Sequence, residues 1–208
     1  MKYISNIRRN KMQTGSRINI RFMTITAMLS ALSFVIMFFD FSVPLIPSFV
    51  KMDVSELPAL IGSFSMGPVY GVLICLLKNL LHLTVTKTGG VGELSNFILG
   101  ATFVFVAGLI YQHKKTKKNA IIGSLIGALA MALMSIPSNY FITYPIYTAF
   151  MPMETIIAMY QAILPSADTL IKCLIIFNAP FTFVKGMLSV IITLLIYKKL
   201  SPIIKGTR

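Results

Sequence analysis

Lys78-Asn79-Leu80-Leu81-His82 and, a few residues on, Thr88-Gly89-Gly90-Val91-Gly92-Glu93-Leu94-Ser95-Asn96-Phe97 form the stretch on which the reading of the fold turns. Apolar sequence flanks it on both sides. Between positions 78 and 96 it sets a lysine, two asparagines, a histidine and a glutamate around a glycine turn. Polar side chains at membrane depth are expensive and are kept facing a bundle interior, a partner or a cavity. The hairpin therefore reads as the centre of a small membrane protein that holds a polar ligand.

Composition supports a membrane setting. The 208 residues are 56% hydrophobic and 12% charged, with a mean hydropathy of +0.80. So few charges suit lipid better than water. The length fits one membrane domain of about six spans at roughly 20 residues each and leaves no room for a separate soluble domain. The net charge of +13 raises nucleic-acid binding as a class, but the placement of the charge argues against it. Lys2, Arg8, Arg9, Lys11, Arg17 and Arg21 precede or open the first apolar run, Lys114, Lys115, Lys117 and Lys118 share one short loop, and Lys198, Lys199, Lys205 and Arg208 close the chain. These are flanks that the positive-inside rule assigns to the cytoplasm.

Working outward from the hairpin, the third span covers about Val69 to Leu83 and the fourth about Glu93 to Tyr111. The second, Glu56 to about Met66, is short, capped by Ser55 or Asp53 and ended by Gly67-Pro68. The first, Ile20 to Phe39, is too long for a typical signal-peptide core and is read as a retained span. Its Ala27 and Ala31 make a small-residue pair that admits a second helix closely, either a neighbour in the same chain or another subunit. The loop Asp40 to Ser55, with Pro44 and Pro47, is long enough to fold over the end of the bundle. Span five starts near Asn119, carries Gly123, Gly127 and Ala128, and reaches Pro137-Ser138-Asn139-Tyr140. Tyr144 to about Phe177 reads as a long external loop with short interfacial helices. The last span opens at Asn178-Ala179-Pro180, with Asn178 as a cap, and ends at Lys198-Lys199.

The expected fold is all-α: six transmembrane helices in one domain (20–200), a basic cytoplasmic N-terminal segment (1–19) and a basic cytoplasmic tail (201–208). Six spans with the N-terminus inside put the 112–118 loop and the C-terminus inside too. All six acidic residues (Asp40, Asp53, Glu56, Glu93, Glu154, Asp168) then fall at external ends. Two charge sets thus agree on six spans.

Candidate ligand groups follow from spacing. Asn178, Thr182 and Lys185 share one helix face. Lys185 lies too deep to reach the helix end, so it needs a ligand acceptor or an acidic partner such as Glu93. Asn139, beside Tyr140, offers two donors and an acceptor. For Lys78, Asn79, His82, Glu93 and Asn96 an internal network is favoured over direct ligand contact, with Lys78 paired to Glu93 and Asn79 capping the turn. Aromatic residues toward the outside, Phe41 and Phe49 among them, suit a flat aromatic ligand as well as an interfacial belt. Cys75 and Cys173 give no disulfide or metal framework, and His82 and His113 fall on opposite sides of the membrane, so no metal site is expected. No HExxH, CxxC, GxSxG or Walker sequence occurs, so enzyme readings are poor.

Lys51 to Pro58, Gly67-Pro68, the 78–97 hairpin and Pro180-Phe181-Thr182-Phe183-Val184-Lys185-Gly186 together resemble the riboflavin-binding S components of energy-coupling factor (ECF) vitamin transporters, over about Thr24 to Leu200. The resemblance implies six helices, one riboflavin site near the external face, and a gate formed by the loop after helix one. Riboflavin would be transported substrate rather than cofactor. It also implies a membrane coupling subunit, docked on the Ala27/Ala31 face, and two cytoplasmic ATPases, all in a bacterial cell membrane. Thr182 and Lys185 match a substrate-contacting pair, and Asn139 matches a polar position in helix five. The substrate-binding set expected is Asn139, Asn178, Thr182, Lys185, Tyr140, Phe41, Glu93 and Asn96. The competing readings are an S component for another vitamin and a structural or assembly membrane protein without a small-molecule ligand.

Overall fold

The computed structural model describes residues 20–44, 46, 47 and 49–205, with the side chains of 197–205 left undescribed. The expected basic N-terminal segment and residues 206–208 of the tail lie outside the described residues. Helix α1 (Ile20–Met37) leads into a two-stranded antiparallel ribbon, β1 (Phe41–Ser42) and β2 (Lys51–Met52), in which Phe41 opposes Met52. Then come α2 (Glu56–Met66), α3 (Pro68–His82), a 3₁₀ turn at Leu83–Val85, α4 (Val91–His113) and α5 (Lys117–Ser138). Short helices α6 (Tyr144–Tyr147), α7 (Met153–Gln161) and α8 (Leu170–Cys173) precede the long α9 (Ala179–Lys205), which continues through residues 201–205 of the expected tail.

Five helical stretches among the described residues are long and apolar enough to cross a membrane: Ile20–Met37, Pro68–Val85, Val91–His113, Lys117–Tyr147 and Leu170–Ile196. The segment expected as the second span, α2, has 11 residues and is about 16 Å long. It is buried except at Ser65. Gly67, at φ 118°, reverses the chain into α3 in a conformation that side chains rarely adopt. Ser63 Oγ donates to the Val104 carbonyl at 2.6 Å and fastens α2 to α4. The core around α2 contains Leu60, Phe64, Ile74, Phe103 and Ala107.

Helix α1 reverses the pattern of a helix in a water-soluble bundle. The buried face of α1 is Thr26, Ser30, Ser33 and Met37, whereas Met28, Leu32 and Val35 point outward. Lipid is as apolar as leucine, so small and hydroxylated residues go inward, where helices approach closely. Thr26 and Ser30 satisfy their hydroxyls on carbonyls one turn earlier. Ala27 and Ala31 lie on the outward face, uncovered by the described chain. At the α4–α5 seam the close neighbours are backbone: a Cβ on Gly127 would stand 2.7 Å from the Phe103 carbonyl oxygen, and one on Gly123 2.8 Å from that of Ala107.

Two boundaries differ from the sequence expectation, for one shared reason. Span five does not stop at Tyr140, and the last helical run starts at Leu170, not Asn178. Each is carried across a widened turn in which the hydrogen bond spans five residues. The Tyr144 N–H reaches the Asn139 carbonyl, and the Ala179 N–H reaches that of Leu174. A proline follows directly in both cases, Pro145 and Pro180. Proline has no N–H and its ring clashes with the carbonyl four residues back. Widening the turn relieves that clash and lets the helix continue. Asn178 is therefore no helix cap; it sits inside the second widened turn.

Candidate functional site

A cavity of about 530 Å³ opens between the α1–α2 loop, the 83–90 turn and the ends of α4, α5 and α9. That size falls within the usual range for small-molecule sites, about 300–1,000 Å³. Its walls have two characters. Phe38, Phe49, Tyr144, Tyr147 and Phe181 supply aromatic rings, while Asn96, Asn139, Asn178, Thr182 and Lys185 supply polar groups. The two widened turns supply Asn139 and Asn178, each nearly fully buried at 5% and 6% exposure.

Below the cavity lies a buried quartet of charges. Lys185 Nζ is 2.9 Å from Asp53 Oδ2 and 3.4 Å from Glu56 Oε1. Lys78 Nζ is 3.2 Å from Glu56 Oε1 and also donates to Ser55 Oγ. Two lysines and two carboxylates make the group neutral, which is what allows it to be buried at all. Burial alone would raise the Asp53 carboxyl, but the charges of Lys185 and Lys78 and the hydrogen bonds from Ser55 and Lys185 hold it well below the usual carboxylate range. Asp53 Oδ1 accepts the Ser55 N–H at 2.8 Å, so the aspartate shapes the turn into α2. Ser33 Oγ donates to the Ser55 carbonyl, joining α1 to the same knot. The third Lys185 donor goes to Asn96 Oδ1 at 2.9 Å. Lys185 therefore lines the cavity and, in the same position, anchors the covering loop through Asp53.

The pairing expected inside the hairpin is different. Lys78 pairs with Glu56, not Glu93. Asn79 donates to the Cys75 carbonyl at 2.7 Å, within its own helix, and does not cap the turn. Glu93 instead takes His82 Nδ1 at 2.8 Å, Thr86 Oγ1 at 2.9 Å and Thr88 Oγ1 at 3.1 Å. Thr86 Oγ1 in turn accepts the Gly90 N–H, and Thr88 Oγ1 that of Gly92. Gly89 and Gly90 take positive φ, 61° and 89°, so the turn closes without strain. The reason for the swap is reach: Lys78 lies one turn below His82 on α3, level with the start of α2 rather than with the glycine turn.

Six of the eight expected ligand residues line the cavity: Glu93, Asn96, Asn139, Asn178, Thr182 and Lys185. Tyr140 and Phe41 lie outside it, 42% and 52% exposed. On a helix, turning Asn139 inward swings its neighbour away, and Tyr140 packs edge-on to Phe141 at 5.0 Å. Phe38 and Phe49 take the place expected for Phe41. Phe49 rests on Tyr144, Tyr147 and Tyr160, with ring centroids 6.0–6.4 Å apart, and so pins the loop over the opening. Asp53 and Glu56 were missed as partners of Lys185. Balancing two buried lysines against the nearest acids could have found them. Nothing in the sequence marks Tyr160, which comes from a segment read as external loop.

A sequence model of the family described as "ECF transporter, substrate-specific component" matches residues 21–197. The chain belongs to that family. This S component is 34% identical over 187 residues to "Riboflavin transporter RibU" of Staphylococcus aureus (strain TCH60), covering 90% of this chain and 93% of the relative. It is 36% identical to the protein of the same name from Streptococcus thermophilus, covering 89% and 85%. It is 27% identical to "Riboflavin transporter FmnP" of Bacillus subtilis (strain 168), covering 89% and 95%. A solved structure described as "Structure and mechanism of the S component of a bacterial ECF transporter" superposes with a TM-score of 0.71 at 31% identity, over 90% of this chain and 98% of that one.

Proposed function

We propose that this S component binds riboflavin in the 530 Å³ cavity and delivers it across a bacterial cell membrane together with a membrane coupling subunit and two ATPases. The observation that carries the reading is a lining that combines aromatic rings with amide and hydroxyl groups. Riboflavin has an apolar dimethylbenzene edge, a polar pyrimidine edge and a ribityl chain. Aromatic rings such as Phe49 and Tyr147 together with the polar groups of Asn96, Asn139, Asn178 and Thr182 suit that shape. The names of the relatives favour riboflavin over other vitamins.

Counting α2 as a short sixth crossing places both termini and the 114–118 lysines in the cytoplasm. The α1–α2 loop and the 83–90 turn then face outward, so the cavity opens to the external side. Two tests follow. Protein purified in detergent is expected to carry, or take up, one riboflavin per chain, identified by its visible spectrum and by mass. A colourless protein that leaves added riboflavin fluorescence unquenched would sink the flavin assignment. Asn139→Ala removes a nearly buried amide whose Oδ1 already receives Ser95 Oγ at 3.2 Å. Riboflavin affinity is expected to fall severalfold, read by fluorescence titration, and unchanged affinity would remove Asn139 from the site.

The outward Ala27 and Ala31 fit the docking of the coupling subunit, since two small residues one turn apart permit close helix contact. Ala27→Leu together with Ala31→Leu is expected to abolish copurification of the coupling subunit and ATPases while leaving riboflavin binding intact. Copurification at the normal level would place the docking face elsewhere.

A further inference from the structure

The Asn178 amide does not stand alone. Its Oδ1 accepts from Tyr160 Oη at 2.7 Å, its Nδ2 donates to Tyr144 Oη at 3.0 Å, and the two tyrosine hydroxyls are 2.5 Å apart. The donors can be counted round this ring. Tyr160 O–H is spent on Asn178, so the proton between the hydroxyls must come from Tyr144. Each hydroxyl then donates once, and neither has a proton left for a ligand. The ring closes on itself and leaves one Asn178 N–H over. Tyr144 and Asn178 line the cavity, whereas Tyr160, fully buried on α7, does not. Burial, with Tyr144 alongside, pushes the Tyr160 hydroxyl far above its ordinary pKa, so it stays a donor at physiological pH.

We propose that Tyr160 is a positioning residue for ligand binding: by holding Asn178 Oδ1 it fixes the amide so that the unused N–H faces the cavity, and this wall therefore reads a hydrogen-bond acceptor on the ligand. This rests on the flavin reading, in which the pyrimidine edge of the isoalloxazine supplies carbonyl and ring-nitrogen acceptors. Without the Tyr160 hydroxyl the amide is free to turn its carbonyl toward the ligand, setting acceptor against acceptor. Networks of this kind can only be apportioned by double-mutant cycles.

The test is such a cycle, with Tyr160→Phe and Asn178→Ala made singly and together and riboflavin affinity read by fluorescence titration. Tyr160→Phe keeps the ring that packs against Phe49 and Phe177, and thermal unfolding of the ligand-free protein checks folding. In the native background Tyr160→Phe is expected to weaken riboflavin about tenfold, the scale of one well-aligned hydrogen bond. In the Asn178→Ala background it is expected to change nothing beyond twofold. Equal losses in both backgrounds would mean that Tyr160 serves only the fold, and no loss in the native background would also overturn the assignment. If Tyr160→Phe yields no folded protein, Asn178→Asp, which keeps an acceptor for Tyr160 but removes the spare N–H, takes its place: riboflavin affinity is expected to fall about tenfold, and unchanged affinity overturns the assignment. A native chain that fails to bind riboflavin overturns the flavin reading itself, and the assignment with it. That outcome is distinct from a native chain that binds while the cycle shows no coupling.

Discussion

Lys185→Ala is expected to cost the protein both its folded yield and its ligand. The substitution leaves Asp53 and Glu56 in the bundle with Lys78 as the remaining cation of the quartet. Breaking a buried ion pair by removing one partner costs about 3–5 kcal/mol, and lipid on the outside offers no water to rescue the stranded charge. Asn96 also loses the lysine that holds its Oδ1, and the loop that carries Asp53 loses its anchor on α9. Riboflavin affinity should fall severalfold or more in whatever protein survives. Lys185→Met combined with Asp53→Asn removes one charge of each sign and is expected to recover most of the thermal stability while leaving binding weak. Thermal unfolding in detergent with and without riboflavin separates the two effects. A Lys185→Ala protein with native stability would show that the quartet is not what holds the loop to the bundle.

The second large effect lies one helical turn beneath the cavity, since Leu99 and Met131, each four residues from the clash, line it. Gly127→Val puts a Cβ about where the Phe103 carbonyl oxygen leaves 2.7 Å, with Ala107 Cβ and Phe103 Cδ2 both at 3.1 Å. The nearest obstacle is backbone, which no rotamer change can move aside. Overpacking a well-filled core costs about 1–3 kcal/mol, and here the two branch methyls add to a contact that is already too short. Helices α4 and α5 must separate along their length, which moves Asn96 on one and Asn139 beyond the end of the other. The expected result is a sharp drop in monodisperse protein and in its unfolding temperature. A native unfolding temperature would mean that the seam is looser than its geometry implies.

How much of this was legible in the residues depends on the range of the interaction. The apolar runs, the glycine turn and the acid and base flanks are local signals, and they located α1, α3, α4 and α5 to within a few residues. The all-helical character followed from them. The short α2 was flagged by its length, because 11 residues fall below what a bilayer asks of a span. The helix ends near Tyr140 and Asn178 were misplaced because Pro145 was assigned to a loop and Pro180 to the first turn of a new helix. A widened turn converts the same proline into a bend within a continuing helix, and the sequence does not say which will occur. Helical spacing grouped Asn178, Thr182 and Lys185 correctly on one face. It could not say that Lys78 would choose Glu56 over Glu93, since that choice depends on how deep α2 sits against α3. Phe41 and Tyr140 were drawn in by their chemistry alone, and the turn of the ribbon and of the helix sent them outward.

The quartet also has a bearing on biosynthesis. Asp53, Glu56 and Lys78 leave the ribosome close together, but Lys185 follows Asp53 by 132 residues. Until the last helix enters the membrane, the first three groups carry an unbalanced negative charge among the earlier helices. The nascent chain cannot settle into its final packing one hairpin at a time, because its buried charge is balanced only when the C-terminal helix arrives. A chain truncated before α9 would thus keep an uncompensated carboxylate among its helices, and assembly of the bundle is committed only once α9 is in place.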